Sequence, residues 1–124
     1  MPYELSTFTL PCGARAGRIR IGGTLDEAES RTMMTNYAPG GPMYGLPTLV
    51  MMEETKDLTP ESRAFYSAWK EPSNTEWYAF VITNAVLRVS ISFIFRVAKT
   101  KRRVIFATEA EAVAWLDERA RESR

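Results

Sequence analysis

The sequence predicts a single α/β domain, residues 1–124, in which helices pack on a five-stranded mixed sheet in the order ββαβαβαβα. A chain of 124 residues is long enough for one domain with a substantial core. Two nearly continuous apolar runs, at 48–53 and 77–83, are typical of strands buried on both faces of a parallel sheet. Two Thr-x-x-Glu capping boxes, at 24–27 and 108–111, each predict the start of a helix.

The first half of the chain begins with a predicted β-hairpin. Residues Tyr3 to Leu10 predict its first strand, and the alternating residues Arg18 to Ile21 predict its second. The capping box at Thr24 then begins a helix that we expect to run from Leu25 to about Tyr37. The apolar run from Thr48 to Glu53 follows as a central strand.

The second half continues the alternation of helix and strand. Thr59 precedes a proline, which is favoured at the first position of a helix because its missing N–H needs no partner there. Trp77 to Thr83 predicts the next strand, and Arg103 to Ala107 predicts the last one. The capping box at Thr108 opens a final helix that ends near Arg121.

The segment between these two strands fits two structures. Every odd position from Val89 to Val97 is apolar, as in a half-buried strand, but the same residues also form an almost wholly apolar helix. A strand here would run for about twelve residues against a usual five or six. The pair Asn84-Ala85 would also be a weak hairpin turn. A helix over 85–98 instead completes a right-handed βαβ unit, so we predict a helix.

This predicted helix has more apolar surface than one face of a sheet can cover. A helix on a sheet needs an apolar stripe a little over 100° wide. The residues that we expect to face the sheet are Val86, Val89, Ser90, Phe93 and Val97. The remaining apolar flank must be covered by a neighbouring helix, a second subunit or an apolar ligand. The predicted contact residues are this flank and the two arginines at its rim: Leu87, Arg88, Ile91, Ile94, Phe95 and Arg96.

Composition and charge favour an ordinary globular protein. The chain is 45% hydrophobic and 25% charged with a net charge of +1, so we expect no nucleic-acid partner. No acidic residue occurs between Trp77 and Thr108, which predicts one basic surface. Cys12 is the single cysteine, which fits a reducing compartment. The N-terminal sequence is not that of a secretory signal, and no apolar run has the roughly 20 residues that cross a membrane, so we expect a cytoplasmic protein.

Most familiar enzyme sites are excluded by residue type. The chain has no histidine, which removes the usual Ser-His-Asp and Cys-His nucleophiles and the commonest zinc ligand. The pair Gly22-Gly23 lacks the spacing and the lysine of a phosphate-binding loop. We therefore expect no cofactor, no metal site and no catalytic residue. Carboxylate chemistry stays open through four acids after the central strand: Glu53, Glu54, Asp57 and Glu61.

Four stretches carry a resemblance to a known family: GRIRIGGTLDEAES, PTLVMMEETKDLTPES, WYAFVITNAVLRVSISFIFRVAK and RVIFATEAEAVAWL. In their order and pattern the chain resembles the STAS domains, specifically the SpoIIAA-like branch, which is related in fold to the lipid-binding CRAL-TRIO domains. The resemblance implies a non-catalytic regulatory module. In regulatory members a serine between the third strand and the second helix is phosphorylated. The hydroxyls at that junction here are Thr59 and Ser62, without the Asp-Ser-Ser-Gly signature of that class.

A long loop between the first helix and the central strand is a second candidate site. Residues 36–47 are many for such a connection, and a loop of this length either covers a pocket or spans a distance. The side chains that would line a pocket here are Tyr37, Met43 and Tyr44.

Three functions are therefore compatible with the sequence. We expect an interaction module that self-associates, as a dimer, or binds a protein partner through the apolar flank of helix 85–98. The first alternative is a carrier or sensor of an apolar small molecule or lipid in a pocket between that helix and the sheet, and a peripheral membrane contact stays open. The second alternative is a small enzyme that uses the acids of residues 53–61.

Overall fold

The computed structural model describes residues 2–71 and 76–122. Its strands are β1 (Tyr3–Thr9), β2 (Arg15–Leu25), β3 (Thr48–Leu58), β4 (Tyr78–Val81) and β5 (Arg103–Phe106). Its helices are α1 (Glu27–Met34), α2 (Pro60–Ala68), α3 (Ala85–Ala98) and α4 (Glu109–Glu122), and a 3₁₀ turn follows α1 at Thr35–Tyr37. The predicted order of elements is confirmed.

The sheet is mixed, as predicted. Its strand order is β1-β2-β3-β4-β5, and β1 pairs with β2 antiparallel while every later pair is parallel. The hairpin between β1 and β2 closes through a hydrogen bond of 2.8 Å from the Leu10 N–H to the Ala14 carbonyl. Gly13 lies in this turn with φ at 93°, a conformation that glycine adopts without strain.

Residues 85–98 form a helix, which confirms the predicted βαβ unit. The Asn84 side chain caps its start by accepting hydrogen bonds from the N–H groups of Val86 and Leu87 at 2.9 and 3.0 Å. The helix ends at Lys99, whose left-handed backbone lets its N–H donate to the Phe95 carbonyl at 3.0 Å. β4 and β5 lie side by side and parallel, before and after this helix.

Several predicted boundaries need correction. α1 begins at Glu27 with Asp26 as its N-cap, two residues after the predicted cap at Thr24. The reason is that β2 still pairs with β3 at Thr24 and at Leu25, so neither residue is available to start a helix. Asp26 and Glu29 then form the reciprocal capping box at 2.8 and 3.2 Å. β3 likewise runs on to Leu58 rather than ending at Glu53.

Helices cover both faces of the sheet. The three parallel crossovers all step in the same direction along the sheet, which places α1, α2 and α3 on one face. Met33 of α1 and Ile91 of α3 belong to the core on that side. α4 covers the other face, where Leu116 packs on Leu49 of β3 in a second core.

Asp117 ties α4 to the turn of the hairpin. Its Oδ1 accepts a hydrogen bond from the Cys12 N–H at 2.8 Å, and its Oδ2 accepts one from Nε of Arg121 at 2.8 Å. The bond from Arg121, followed by the bond from Cys12, lowers the pKa of the Asp117 carboxyl below its ordinary value of 3.8.

We predict that Asp117→Asn destabilises the protein at neutral pH and that this effect disappears in acid. A carboxyl whose pKa is lowered by folding stabilises the native state above its ordinary pKa of 3.8. That contribution is lost as the pH falls through the lowered native value. Thermal unfolding of both proteins across the acid range measures the difference in Tm. Glu118→Gln on the same helix is the control, and a difference that stays constant down to strong acid would contradict the assignment.

Candidate functional site

α3 presents two apolar faces, and their orientation is the reverse of the predicted one. The face turned inward is buried and consists of Leu87, Ile91, Ile94 and Ala98. The residues predicted to face the sheet point into solvent instead, at 81% exposure for Val86, 72% for Val89, 60% for Phe93 and 49% for Val97. We call these last four residues the outer face of α3.

Several of the predicted contact residues are therefore buried and do not form part of the surface. Leu87, Ile91 and Ile94 belong to the core. Phe95 is half-buried, and its ring lies 4.9 Å from that of Phe80 on β4. The sequence could not fix the rotation of the helix because apolar residues repeat at helical spacing along both faces.

The outer face of α3 is a straight stripe. Its residues follow one another at spacings of three, four and four, so the twelve residues from Val86 to Val97 span about three turns and roughly 16 Å of helix. Among the residues that the structure describes, the remaining exposed large apolar side chain is Tyr44, at 40%. The uncovered apolar surface of the described chain is thus concentrated on one helix.

Cations border this stripe. Arg88, Arg96, Lys99 and Lys101 are all exposed. Arg88 also donates to the Ile82 carbonyl at 2.9 Å, which fixes its side chain beside the start of α3. The described residues supply no ion-pair partner to the other three. Because residues 77–108 contain no acid, the stripe lies in a locally positive surface, as the sequence predicted.

A small apolar cavity lies beneath the inner face of α3. Its volume is about 50 Å³, and its walls come from the sheet and from all three helices on that side. Ile91, Ile94 and Phe95 line it from α3, and Tyr66 of α2 lines it together with Trp69, the residue that follows that helix. These three α3 residues are thus placed to contact a ligand, although they do not form an exposed surface.

Two residues with polar side chains are among those that line this cavity. Arg103 is committed to other partners, since it donates to the Glu71 carboxylate at 2.9 Å and to the carbonyls of Tyr66 and Trp69 at 3.2 and 2.8 Å. The Tyr66 hydroxyl lies near Ser30 but has no partner at hydrogen-bonding geometry among the described residues. Burial raises the pKa of Tyr66 to about 12, so the hydroxyl keeps its proton at neutral pH.

The structure places two of the three residues proposed for a loop pocket inside the core. Tyr37 and Met43 are buried in the core, and the Tyr37 hydroxyl bonds to Oγ1 of Thr48 at 3.0 Å. Tyr44 alone of the three is exposed. Neither buried residue lines the cavity under α3.

Glu76 is a buried polar residue that the sequence analysis missed. It is fully buried and accepts hydrogen bonds from the Tyr78 hydroxyl and, at 3.3 Å, from the Gly45 N–H. Burial and this carboxylate together raise the pKa of Tyr78 well above its ordinary value of 10.0. No local pattern indicated this role, because an acid just before an apolar strand is usually solvated.

The junction of β3 and α2 does not present a phosphorylation site of the expected kind. Thr59 caps α2 by accepting a hydrogen bond from the Ser62 N–H at 3.2 Å. Ser62 is fully buried, and its hydroxyl bonds to that of Ser30 at 2.6 Å. A kinase could not reach Ser62 without unfolding this end of α2.

The four acids of the enzyme alternative do not converge. Glu53 and Glu54 border a surface cleft beside Gly22, whereas Glu61 borders a different cleft between α1 and α2. Asp57 pairs with Arg63 at 3.3 Å. In the part of the chain that the structure describes, no group of three or more cysteine, aspartate or glutamate residues could hold a metal ion.

Comparison with known proteins gives a structural match and no sequence match. No protein-family model matches the chain, and no curated protein matches it. The chain is similar to the crystal structure of an uncharacterised protein of the DUF3478 family from Shewanella loihica PV-4, which has a SpoIIAA-like fold. The TM-score is 0.61 over 92% of this chain and 93% of that one. This chain has a SpoIIAA-like, and so STAS-like, fold.

The match extends to the fold alone, since the two sequences are 11% identical. The resemblance inferred from the order of elements is thereby confirmed. Within residues 2–71 and 76–122, no helix combines the length and the apolar character required to cross a bilayer.

We predict that two substitutions two residues apart on α3 differ sharply in effect. Ile91→Ala should lower the free energy of unfolding by about 2–5 kcal/mol, because it leaves a void under the helix. Val89→Ala should change it by less than about 0.5 kcal/mol, because that side chain is already in water. Urea unfolding measures both. Equal losses, or a larger loss at Val89, would mean that the helix is rotated from the orientation described.

Proposed function

We propose that this protein is a non-catalytic interaction module that binds a second copy of itself or another protein through the outer face of α3. The exposure of Val86, Val89, Phe93 and Val97 carries this proposal. Contiguous apolar patches bordered by polar residues are typical of interaction sites on soluble proteins.

The surface is ready to bind as it stands. α3 is capped at both ends and held by its buried inner face, so its backbone needs no ordering when a partner arrives. Full burial of a valine or phenylalanine side chain contributes about 1.5–3 kcal/mol, and each residue of the outer face still has about half or more of its surface to bury.

Two further features support a binding role over a catalytic one. The acids of the enzyme alternative lie at separate places on the surface. The chain also has no histidine, so it lacks the residue that usually activates a serine or cysteine nucleophile. We propose the cytoplasm as the site of action, because the single cysteine fits a reducing compartment.

Site-specific photocrosslinking in the cells that make this protein tests the proposal. A photoreactive phenylalanine analogue at position 93 should give a discrete adduct, because the ring at that position is 60% exposed on the outer face. The adduct should weaken when Val89→Ser is added, since that change removes a neighbouring apolar contact.

The control places the same analogue at position 44, where Tyr44 is exposed in the loop before β3. Adducts of equal yield at positions 44 and 93 would indicate random collisions. The absence of any adduct at position 93 would count equally against the outer face as a binding surface.

A second candidate function is supported by the cavity under α3. We propose as the alternative that it holds an apolar molecule with one polar group, which would bond to the Tyr66 hydroxyl. The cavity is almost wholly apolar, and that hydroxyl has no hydrogen-bond partner among the described residues. A volume of about 50 Å³ holds only a small group, so a longer molecule requires α2 and α3 to separate.

Native mass spectrometry of the protein purified from cells tests this alternative. We expect an additional hydrophobic mass on the wild type that Ile94→Phe displaces by filling the cavity. Val97→Phe is the matched control, because it adds a phenyl ring to the same helix on its outer face. A clean protein mass for the wild type, or a bound mass that Ile94→Phe leaves unchanged, rules this function out.

A further inference from the structure

We infer that the partner of the outer face of α3 is an amphipathic helix with acidic residues along its edge. This inference rests on the proposed function and specifies the chemistry of the partner. It follows from where the cations lie around α3 and from how each possible occupant would meet them.

The cations occupy one side of the apolar stripe. At 100° per residue, the outer face covers an arc of about 80°. Arg96, Arg88 and Lys99 fall in the next arc, also of about 80°, on one side of it. On the other side lies Ser90, followed by the buried inner face of the helix. A partner on the outer face therefore meets positive charge along one edge only.

A second copy of the chain does not match this charge. In an antiparallel pair of α3 helices, Arg88 of one copy would lie near Arg96 and Lys99 of the other. In a parallel pair, the two cationic edges would lie on opposite sides of the interface, and each would meet the uncharged Ser90 edge of the other copy. Because residues 77–108 contain no acid, neither arrangement offers α3 a compensating charge from its own βαβ unit. Like charges brought together across an interface weaken binding and select against that partner.

A bilayer surface matches the outer face of α3 and its cations less well than a partner helix does. Helices that lie in a membrane interface usually have cations across a broad polar face and large residues such as Trp, Phe and Leu on the other. The outer face of α3 instead consists of three valines and one phenylalanine, with cations on one side.

A helical protein segment fits both the shape and the charge. A straight apolar stripe of roughly 16 Å matches three turns of a partner helix, whose own apolar side chains can pack between branched valines. Carboxylates along its edge would reach Arg96, which offers a planar pair of N–H donors, and Lys99. These exposed side chains have no ion-pair partner among the described residues, so no existing bond has to be broken.

Two synthetic helices test this inference against the full chain. Both carry one leucine stripe of four turns. In the first, glutamates border the stripe on both sides, so that the peptide can dock in either direction. In the second, lysines replace those glutamates. Fluorescence anisotropy of labelled peptide should show that the acidic peptide binds at least tenfold more tightly at low salt, and that added salt reduces the difference.

Protein variants locate the contact. Phe93→Ser and Arg96→Glu should each weaken binding of the acidic peptide by tenfold or more. The matched controls are Tyr44→Ser and Arg15→Glu, which remove an exposed ring and reverse an exposed charge outside α3, and they should leave binding unchanged. Circular dichroism of each variant confirms that the fold is retained.

The inference is overturned if the acidic peptide binds no better than the basic one. Two additional measurements then identify which other molecule binds the outer face of α3. A dimer in analytical ultracentrifugation that Phe93→Ser dissociates means that the occupant is a second copy, and the proposed function survives. Binding to phosphatidylglycerol vesicles that Phe93→Ser abolishes means that the occupant is a membrane. The proposed function fails as well if the analogue at position 93 gives no adduct and if Phe93→Ser changes neither dimer formation, nor peptide binding, nor vesicle binding.

Discussion

The structure depends on one constraint, which is that α3 is apolar on two faces but can offer only one of them to the sheet. A helix that packs on one sheet face buries a stripe a little over 100° wide. In α3 that stripe is the face of Leu87, Ile91 and Ile94, which closes the core on one side of the sheet. The second apolar stripe is then left in water by the geometry of packing.

The two proposed functions, partner binding and ligand binding, belong to the two sides of this one helix. The inner face lines a small apolar cavity, and the outer face presents a preformed apolar stripe with cations beside it. A molecule larger than a small group would have to move α3 relative to α2, because the present volume is about 50 Å³. Ligand and partner would therefore act on the same structural element, which links the two functions physically.

Buried polar contacts hold the elements around α3 in place. Arg103, on β5, bonds to Glu71 and to two carbonyls at the end of α2, which joins the edge of the sheet to that helix. Glu76 joins the start of β4 to the loop before β3 through Gly45. Removing one partner of a buried ion pair typically costs about 3–5 kcal/mol, so the bond between Arg103 and Glu71 is costly to break.

The sequence by itself determined the order of elements, the mixed sheet and the helix over 85–98, because caps, turns and apolar runs are local signals that survive in the fold. It also predicted an excess of apolar surface on that helix and a basic stretch beside it. Only the tertiary structure decided which face of α3 is buried, since both faces carry the same periodicity and the choice depends on contacts with α2 and the sheet. Tertiary pairing likewise moved the start of α1 to Asp26, buried Tyr37, Met43 and Ser62, and separated the acids of residues 53–61. Each of these outcomes depends on residues distant in sequence, about which local patterns carry no information.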